Sequence, residues 1–203
     1  MSLFHRSPRH LADKLTMRQQ VFIFTWEIFK VVVISLAIIL PVRYFLIKPF
    51  YVKGASMEPN FYDHEYLIID EISYRFFEPQ RGDIVVFRYP QDPRQYFIKR
   101  IVGLPNEQVK LIGGTVYITN ATNPDGTTLA EPYLPEGLST SGSVEVTLGA
   151  DQYYVLGDNR TSSLDSRAFG PLSRSEVVGR VLWRGWPVER IGLIGQAPEY
   201  NIP

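Results

Sequence analysis

Two residues far apart in the sequence have side chains that could together perform nucleophilic catalysis. Ser56 lies in GASMEPN (54–60) and Lys99 lies in FIKRIVGLP (97–105). A serine hydroxyl is a weak nucleophile until a base removes its proton. Lysine ordinarily titrates near ~10.4, but burial among apolar residues disfavours the ammonium and lowers the pKa. Because its segment is apolar and strand-like, Lys99 could act as that base in its neutral form.

Each of these residues also has an ordinary interpretation. A lone serine between Ala55 and Met57 is typical of a turn, and a lysine on a strand commonly pairs with a carboxylate. Histidine is the more familiar proton acceptor for serine, and the chain has three, His5, His10 and His64. The first two precede a segment predicted to cross a membrane, and the third lies in the polar turn-like sequence YDHE. A Ser-His pair is therefore disfavoured.

A third segment, LGDNRTSSLDSRAFG (156–170), contains small and charged residues that could complete a site. Gly157 begins the sequence GDN, which is typical of a tight turn. Asp165 and Arg167 are close enough in sequence to predict a salt bridge, and Ser163 lies just before them. Taken singly, none of these features is specific for catalysis.

The elements that would position these residues begin with an apolar segment, residues 26–50. A helix over residues 28–47 has the ~20 residues that a membrane span needs. Lys30 and Arg43 would then lie near its two ends, where long side chains reach the headgroups. Pro41 is expected to kink or end this helix.

A cleaved signal peptide and a buried helix are the alternatives to a membrane anchor. Small residues should follow a signal peptide at its cleavage site, whereas PVRYFLIKPF (41–50) is bulky and charged. Charges on both sides of the apolar run disfavour a buried helix. The residues before the span are mainly basic: Arg6, Arg9, Lys14 and Arg18. The positive-inside rule therefore predicts that residues 1–27 are cytoplasmic and residues 48–203 extracytoplasmic, at a plasma membrane or, where present, a thylakoid membrane.

Beyond residue 50, apolar residues alternate or form short runs between glycines and prolines, which is typical of strands. Strand-like segments lie at residues 66–72, 83–89, 96–103, 144–148, 152–157 and 177–184. Gly113-Gly114 is expected to turn the segment 109–118 into a hairpin. Residues 106–151 are predicted to form a hairpin with a loop excursion. The predicted fold class is mainly β, with one N-terminal transmembrane helix followed by an antiparallel β domain.

Composition excludes several classes of function. Lys plus Arg and Asp plus Glu are 21 each, so no net positive charge favours nucleic acid as a partner. The absence of cysteine excludes disulfides, thiolate metal sites and a cysteine nucleophile. Asp63, His64 and Glu65 are adjacent in a turn and are more typical of solvated residues than of metal ligands, so no metal or cofactor is predicted. Asn120 and Asn159 begin glycosylation-like sequences, which are common by chance.

The order and the amino-acid sequences of these segments resemble those of the type I signal peptidases, the membrane-anchored Ser-Lys endopeptidases of family S26. The resemblance covers the anchor and then, in order, GASMEPN, RGDIVVFRYP, FIKRIVGLP, GDNRTSSLDSR and RIGLI. It implies a β catalytic domain of the signal-peptidase type. It also implies that Ser56 is the acylating nucleophile and that Lys99 is its general base.

The same resemblance implies supporting roles for the third segment. Ser163 would hydrogen-bond to the Lys99 amine and orient it. Asp165 and Arg167 would form a salt bridge behind the site, which agrees with their ordinary interpretation. Gly157 would lie so close to the site that a side chain there would intrude.

The substrate implied by the resemblance is a preprotein whose signal peptide ends in small residues, typically Ala-x-Ala. Such a peptide can bind as an added strand along an exposed sheet edge, with shallow pockets for alternate side chains. Val52, Ile84, Val86 and Ile98 are candidate pocket walls, and a plain core role is an equally good interpretation of them. The expected partners are preprotein signal peptides, the lipid bilayer and the protein translocation machinery. Exposed aromatic residues near Phe50 and Trp183–Trp186 could enter the membrane interface or could belong to the core.

Two positions depart from the family pattern. Asn60 stands where the family usually has threonine after the proline, and a modest effect is expected because asparagine also caps turns. Gly54 stands where some members have a serine whose hydroxyl assists the oxyanion hole. Since the loss of one oxyanion donor can cost about 3 kcal/mol of barrier, a compensating donor or a water is expected beside the Ser56 backbone N–H.

Two other functions are compatible with parts of the sequence. A membrane-tethered β module that binds a partner without catalysis would make Ser56 and Lys99 coincidental. A soluble self-cleaving repressor of the related Ser-Lys type would need a helix-turn-helix domain in place of the apolar segment. The first 50 residues instead have the pattern of a membrane span, which disfavours the repressor.

Overall fold

The computed structural model describes residues 16–41, 48–195, 200 and 202. The chain divides into two units, residues 1–44 and residues 45–203, which are described separately below. The predictions for His5, His10, Arg43 and the basic residues before Thr16 lie outside the described residues.

In the first unit, the described residues form one helix, α1, Met17–Pro41. Thr16 lies just before it, and its backbone N–H donates to Gln19 Oε1 at 2.9 Å, as in one half of a capping box. Pro41 is the last helical residue, as the lack of a proline N–H predicts. The 24 residues Met17–Leu40 are long and apolar enough to cross a membrane.

This helix begins before the predicted span of residues 28–47. The helix begins at Met17 because the apolar sequence and the Thr16 cap extend it toward the N-terminus. Lys30 consequently lies inside the helix rather than near its end, and it pairs with Glu27 at 2.7 Å. Residues 42–47 lie outside the described part of the chain.

The second unit is mainly β. The strands and the α-helix among its described residues are β1 Lys48–Tyr51, β2 Tyr66–Asp70, β3 Ile84–Tyr89, β4 Asp92–Gly103, β5 Gln108–Ile112, β6 Thr115–Thr119, β7 Thr127–Thr128, β8 Val144–Thr147, β9 Gln152–Leu156, α2 Ser166–Phe169, β10 Leu172–Ser173, β11 Val177–Trp186 and β12 Gly192–Leu193. Short 3₁₀ helices lie at Ser73–Arg75, Arg174–Glu176 and Val188–Arg190.

The strands form two sheets. The larger sheet has the order β1-β2-β11-β3-β4-β9-β10, with β12 added to β11. All of its recorded pairs are antiparallel, so the sequence prediction of an antiparallel β domain behind one apolar N-terminal helix is confirmed. The pairing of β3 with β4 places Lys99 opposite Val85, in the middle of this sheet.

The smaller sheet has the order β7-β6-β5-β8. The hairpin of β5 and β6 closes between Ile112 and Thr115, as Gly113-Gly114 predicted. Both glycines have positive φ, which fits the primed turns of two-residue hairpins. Residues 120–143, predicted as a loop, contain the two-residue strand β7.

Candidate active site

The segment that carries Ser56 follows β1 and is fixed by two buried apolar side chains. Met57 and Phe61 are 1% and 2% exposed, and the Phe61 N–H donates to the Met57 carbonyl at 2.9 Å. Gly54 has a φ of +86°, a left-handed conformation that favours glycine. The segment therefore holds Ser56 at the surface of a packed turn.

Lys99 reaches Ser56 from β4. Its amine nitrogen lies 2.7 Å from Ser56 Oγ and 2.7 Å from the Ile98 carbonyl oxygen. The lysine is 3% exposed, and among the described residues no carboxylate lies within salt-bridge distance of it. The two residues singled out in the sequence are thus brought together.

Burial lowers the pKa of Lys99 from its ordinary value to about 8. Asp165 and Asp158 act in the opposite direction, because their negative charges favour the ammonium. Burial is the larger effect, so a substantial fraction of the amine is neutral under mildly alkaline conditions. A neutral amine at this distance can accept the proton of Ser56.

Gly157 lies against both Ser56 and Ser163. A Cβ added to Gly157 would be 2.5 Å from the Ser56 carbonyl oxygen and 2.1 Å from Ser163 Oγ. These distances are too short for a methyl group, so only glycine fits without displacement of its neighbours.

The hydrogen bond predicted from Ser163 to the Lys99 amine is not formed. Ser163 Oγ is buried and makes no hydrogen bond with the Lys99 amine, and it lies near enough to Asp165 to help lower the pKa of that carboxyl. The Lys99 amine is instead directed at Ser56 Oγ and at the Ile98 carbonyl.

Asp165 organises the end of the third segment. Its side chain caps α2, accepts from the Gly157 N–H at 3.0 Å and forms a salt bridge with Arg167 at 2.8 Å. Burial alone would raise the pKa of Asp165, but the hydrogen bonds from Arg167 and Gly157 hold it below its usual value. The carboxylate therefore stays ionised and fixes the Gly157 backbone beside Ser56.

A second buried ion pair, which the sequence did not predict, connects the strand of Lys99 to the same loop. Arg100 donates to both oxygens of Asp158, at 2.8 and 2.7 Å, and Asp158 is 0% exposed. The next residue, Asn159, donates its backbone N–H to the Ser56 carbonyl at 3.1 Å. Opposite charges in segments so far apart in sequence give no local signal of pairing.

A groove of about 470 Å³ opens at Ser56 and Lys99. Its other lining residues are Phe50, Tyr51, Lys53, Gln95, Tyr96, Phe97, Ile98 and Leu164. Most of these were not predicted, although the two-residue period of a strand puts Phe97 on the same face as Lys99. Apart from Ser56, Lys99, Lys53 and Gln95, the lining residues are aromatic or apolar.

Of the four predicted pocket residues, Ile98 lines this groove. Val86 lines an adjoining groove that shares Phe50 and Tyr96 with the first. Val52 and Ile84 are 1% and 8% exposed, and all four residues belong to one core cluster beneath the site.

Two other sequence features have structural explanations. Glu65, in the predicted solvated turn, is instead 2% exposed and pairs with Arg184 and Arg190. The described residues contain no group of three or more His, Asp or Glu side chains that could hold a metal ion. The side-chain nitrogens of Asn120 and Asn159 are engaged, since they donate to Glu107 and to the Ala55 carbonyl.

Comparison with known proteins shows the family to which this chain is similar. A model of the signal peptidase family, peptidase S26, matches residues 25–186. A probable signal peptidase I-2 of Synechocystis sp. is 38% identical over 177 residues, covering 84% of this chain and 78% of that protein. The signal peptidase I of Leptolyngbya laminosa is 36% identical and covers 84% of each chain. The signal peptidase I of Bacillus amyloliquefaciens is 34% identical, covering 76% of this chain and 81% of that protein.

The family match spans the end of the apolar helix, the Ser56 turn, the Lys99 strand and the Asp165 loop. Each relative aligns over most of its own length as well as most of this one. The chain therefore belongs to the signal peptidase family, peptidase S26, and is a hydrolase of that family.

Proposed function

We propose that this protein is a membrane-anchored serine endopeptidase that removes N-terminal signal peptides from exported preproteins through a Ser56–Lys99 dyad. The observation that carries the proposal is the 2.7 Å contact between Lys99 Nζ and Ser56 Oγ, made by an amine that is buried and has no carboxylate partner among the described residues. Family membership supports the substrate class, because the relatives are named signal peptidases.

In the acylation step, neutral Lys99 accepts the hydroxyl proton of Ser56 while Ser56 Oγ bonds to the carbonyl carbon of the scissile peptide. The ammonium then gives its proton to the leaving amine as the C–N bond breaks, which leaves an acyl-enzyme. Lys99, neutral again, takes a proton from water as the water attacks the ester. Ser56 regains its proton from Lys99 when the ester breaks, so the cycle balances.

The oxyanion of the tetrahedral intermediate needs hydrogen-bond donors. The backbone N–H of Ser56 donates to no acceptor within the described residues, so it is available for this role. Gly54 has no side chain that could add a second donor there.

The groove supports cleavage after small residues. Phe50, Phe97 and Ile98 surround Ser56 and Lys99 with apolar surface and leave shallow space. A preprotein with alanine at the first and third positions before the cut is therefore the expected substrate. A phenylalanine at the first position should block cleavage while the protease remains active on the alanine substrate.

Helix α1 is proposed to be the membrane anchor, with the residues before it in the cytoplasm and the β unit on the outer side. Its length of 25 residues corresponds to roughly 37 Å at ~1.5 Å per residue, enough for a hydrocarbon core of ~30 Å. Tethering raises the effective concentration of the enzyme where preproteins emerge from the translocation machinery.

Preprotein processing tests the proposal directly. Ser56→Ala and Lys99→Met should fold as the wild type does and lose processing of a full-length preprotein, with product followed by gel shift and by N-terminal sequencing. Lys110→Met is the matched control, because Lys110 pairs with Glu145 on the smaller sheet, outside the groove lining. Retained processing in either dyad variant would contradict the proposal.

A further inference from the structure

Asn60 lies in the same segment as Ser56 and uses both protons of its side-chain amide. The nitrogen donates to Asp158 Oδ2 at 2.8 Å and to the Tyr133 carbonyl at 3.0 Å. An amide NH₂ has two protons to donate, so neither is left over. The side chain thereby joins the Ser56 segment to two other parts of the domain.

The main chain of Asn60 is held from another direction. Its carbonyl oxygen accepts from Arg184 Nη2 at 2.6 Å and from Arg190 Nη2 at 3.1 Å. Both arginines are themselves fixed by the buried carboxylate of Glu65. Asn60 is therefore the most tightly hydrogen-bonded point of the segment that bears Ser56.

A short, packed turn connects Asn60 to Ser56. The hydrogen bond from the Phe61 N–H to the Met57 carbonyl closes this turn, and both of these side chains are buried. Because packed interiors transmit displacement, a shift of Asn60 is passed to Ser56.

The acceptor Asp158 is linked to the base as well as to the nucleophile. Arg100, which binds Asp158 through two nitrogens, is the chain neighbour of Lys99. Asn159, the neighbour of Asp158, binds the Ser56 carbonyl. Asp158 is thus linked to Lys99 through Arg100 and to Ser56 through Asn159, so it helps to set the distance between those two side chains.

We infer that Asn60 is a positioning residue for catalysis, which holds the Ser56 turn against Asp158 and the Tyr133 carbonyl so that Ser56 stays within proton-transfer distance of Lys99. This inference rests on the proposed Ser-Lys function. The chain segment around Tyr133 then also has a function, because its carbonyl helps to hold the turn that carries Ser56. Tyr133 is itself held there by the stacking of Arg100 on its ring, with 3.9 Å from the guanidinium carbon to the ring centroid.

The chemistry of asparagine explains why it suits this position in this chain. A threonine hydroxyl has one proton, so it could bind Asp158 or the Tyr133 carbonyl but not both. Asn60→Thr should therefore retain one of the two connections, and Asn60→Ala should lose both. The order of activity is expected to be wild type, then Asn60→Thr, then Asn60→Ala.

The test measures kcat and KM for a preprotein at a temperature where each variant is fully folded by circular dichroism. Asn60→Ala should lower kcat by about 10- to 100-fold, the size expected for misplaced reacting groups, with KM changed less than about 2-fold. Glu107→Gln is the structural control, since it disrupts the buried Arg81–Glu107 pair away from the groove. It should lower the unfolding temperature and leave kcat unchanged.

A double-mutant cycle with Asp158→Asn tests the route of the effect. If Asn60 acts through Asp158, the two changes will lower kcat together by clearly less than the product of their separate effects. A wild-type kcat in folded Asn60→Ala or Asn60→Thr would overturn the inference, and so would independent effects in the cycle. Ser56→Ala separates the two proposals: its inactivity beside an unimpaired Asn60→Ala would refute only the role of Asn60.

Discussion

Gly157 and Ser163 are packed so closely that a Cβ on the glycine would lie 2.1 Å from the serine Oγ. The Gly157 N–H is fixed by Asp165, so the backbone cannot easily retreat. The buried Ser163 hydroxyl would therefore have to move.

Gly157→Ala is therefore expected to impair catalysis more than stability. The added methyl group would push on Ser163 and on the Ser56 carbonyl, and a misplacement of about 1 Å can cost roughly 100-fold in rate. Preprotein processing by Gly157→Ala should fall by about that factor. Gly192→Ala is the control, because a Cβ there meets nothing within 4 Å. Equal rates for the two variants would show that the contact is unimportant.

The pH dependence of cleavage should report the Lys99 amine. Burial lowers its pKa to about 8, and only the neutral form accepts a proton, so the rate should rise as the pH increases through about 8. An ordinary lysine would give this ascending limb near ~10.4. Single-turnover rates between pH 6 and 10 measure it. An ascending limb near the ordinary lysine pKa would contradict the role of burial. The Lys99→Arg variant should have no measurable rate at any of these pH values.

The same shift predicts a pH-dependent stability. Unfolding returns the pKa of Lys99 from about 8 to its ordinary 10.5, so the folded state binds the proton less well. This cost is full below pH 8 and disappears above the unfolded value. Lys99→Met removes it and should stabilise the protein at pH 7 by up to about 3 kcal/mol, at about 1.4 kcal/mol per pKa unit. Urea unfolding at pH 7 and at pH 10 should show this gain shrinking, and a constant gain would be contrary evidence.

Asp165 should tune the base as well as support the loop. Its negative charge raises the pKa of Lys99, so Asp165→Asn should move the ascending limb of the rate profile to lower pH. Asparagine can still cap α2. Arg167 would lose its carboxylate partner, which should destabilise the protein. Asp92→Asn is the matched control, because Asp92 forms an equivalent pair with Arg94 at the surface. A shift of the ascending limb to higher pH in Asp165→Asn would contradict this role of Asp165.

Trp183 and Trp186 are 37% and 52% exposed, as contact with a membrane interface requires. Replacing both with alanine should weaken the binding of the protein to liposomes and leave its unfolding temperature close to that of the wild type. Tyr117→Ala removes a comparably exposed aromatic ring from the smaller sheet and serves as the control. Unchanged liposome binding in the tryptophan variant would eliminate this membrane contact.

Much of the fold was predictable because its signals are local. Alternating apolar residues and the glycine pair Gly113-Gly114 marked strands and a hairpin that the structure contains. Helix α1 begins before the predicted membrane span of residues 28–47, since the cap at Thr16 lies outside the most apolar residues. The division into two sheets has no local signal, because strand order depends on pairings between distant segments.

The site was predictable in its residue types and less so in its surroundings. Ser56 and Lys99 could be singled out by their chemistry, and family resemblance added Gly157 and Asp165. The Arg100–Asp158 pair was missed, because a salt bridge between distant segments leaves no pattern in either. From the sequence, Asn60 is a minor departure from the family pattern, because an expected turn-capping role gives no indication of its actual partners. Folding brings Asp158 and the Tyr133 carbonyl to its amide.

The buried Arg–carboxylate pairs have a consequence for the movement of protons. Within the described residues, the cations that are buried besides Lys99 are Arg81, Arg100 and Arg160. Guanidinium groups do not release protons under physiological conditions, so these three can neither accept the hydroxyl hydrogen nor compete for it. Among the described residues, the amine beside Ser56 is thus the one buried cation that can alternate between charged and uncharged forms, so it is the buried base to which the hydroxyl hydrogen can pass.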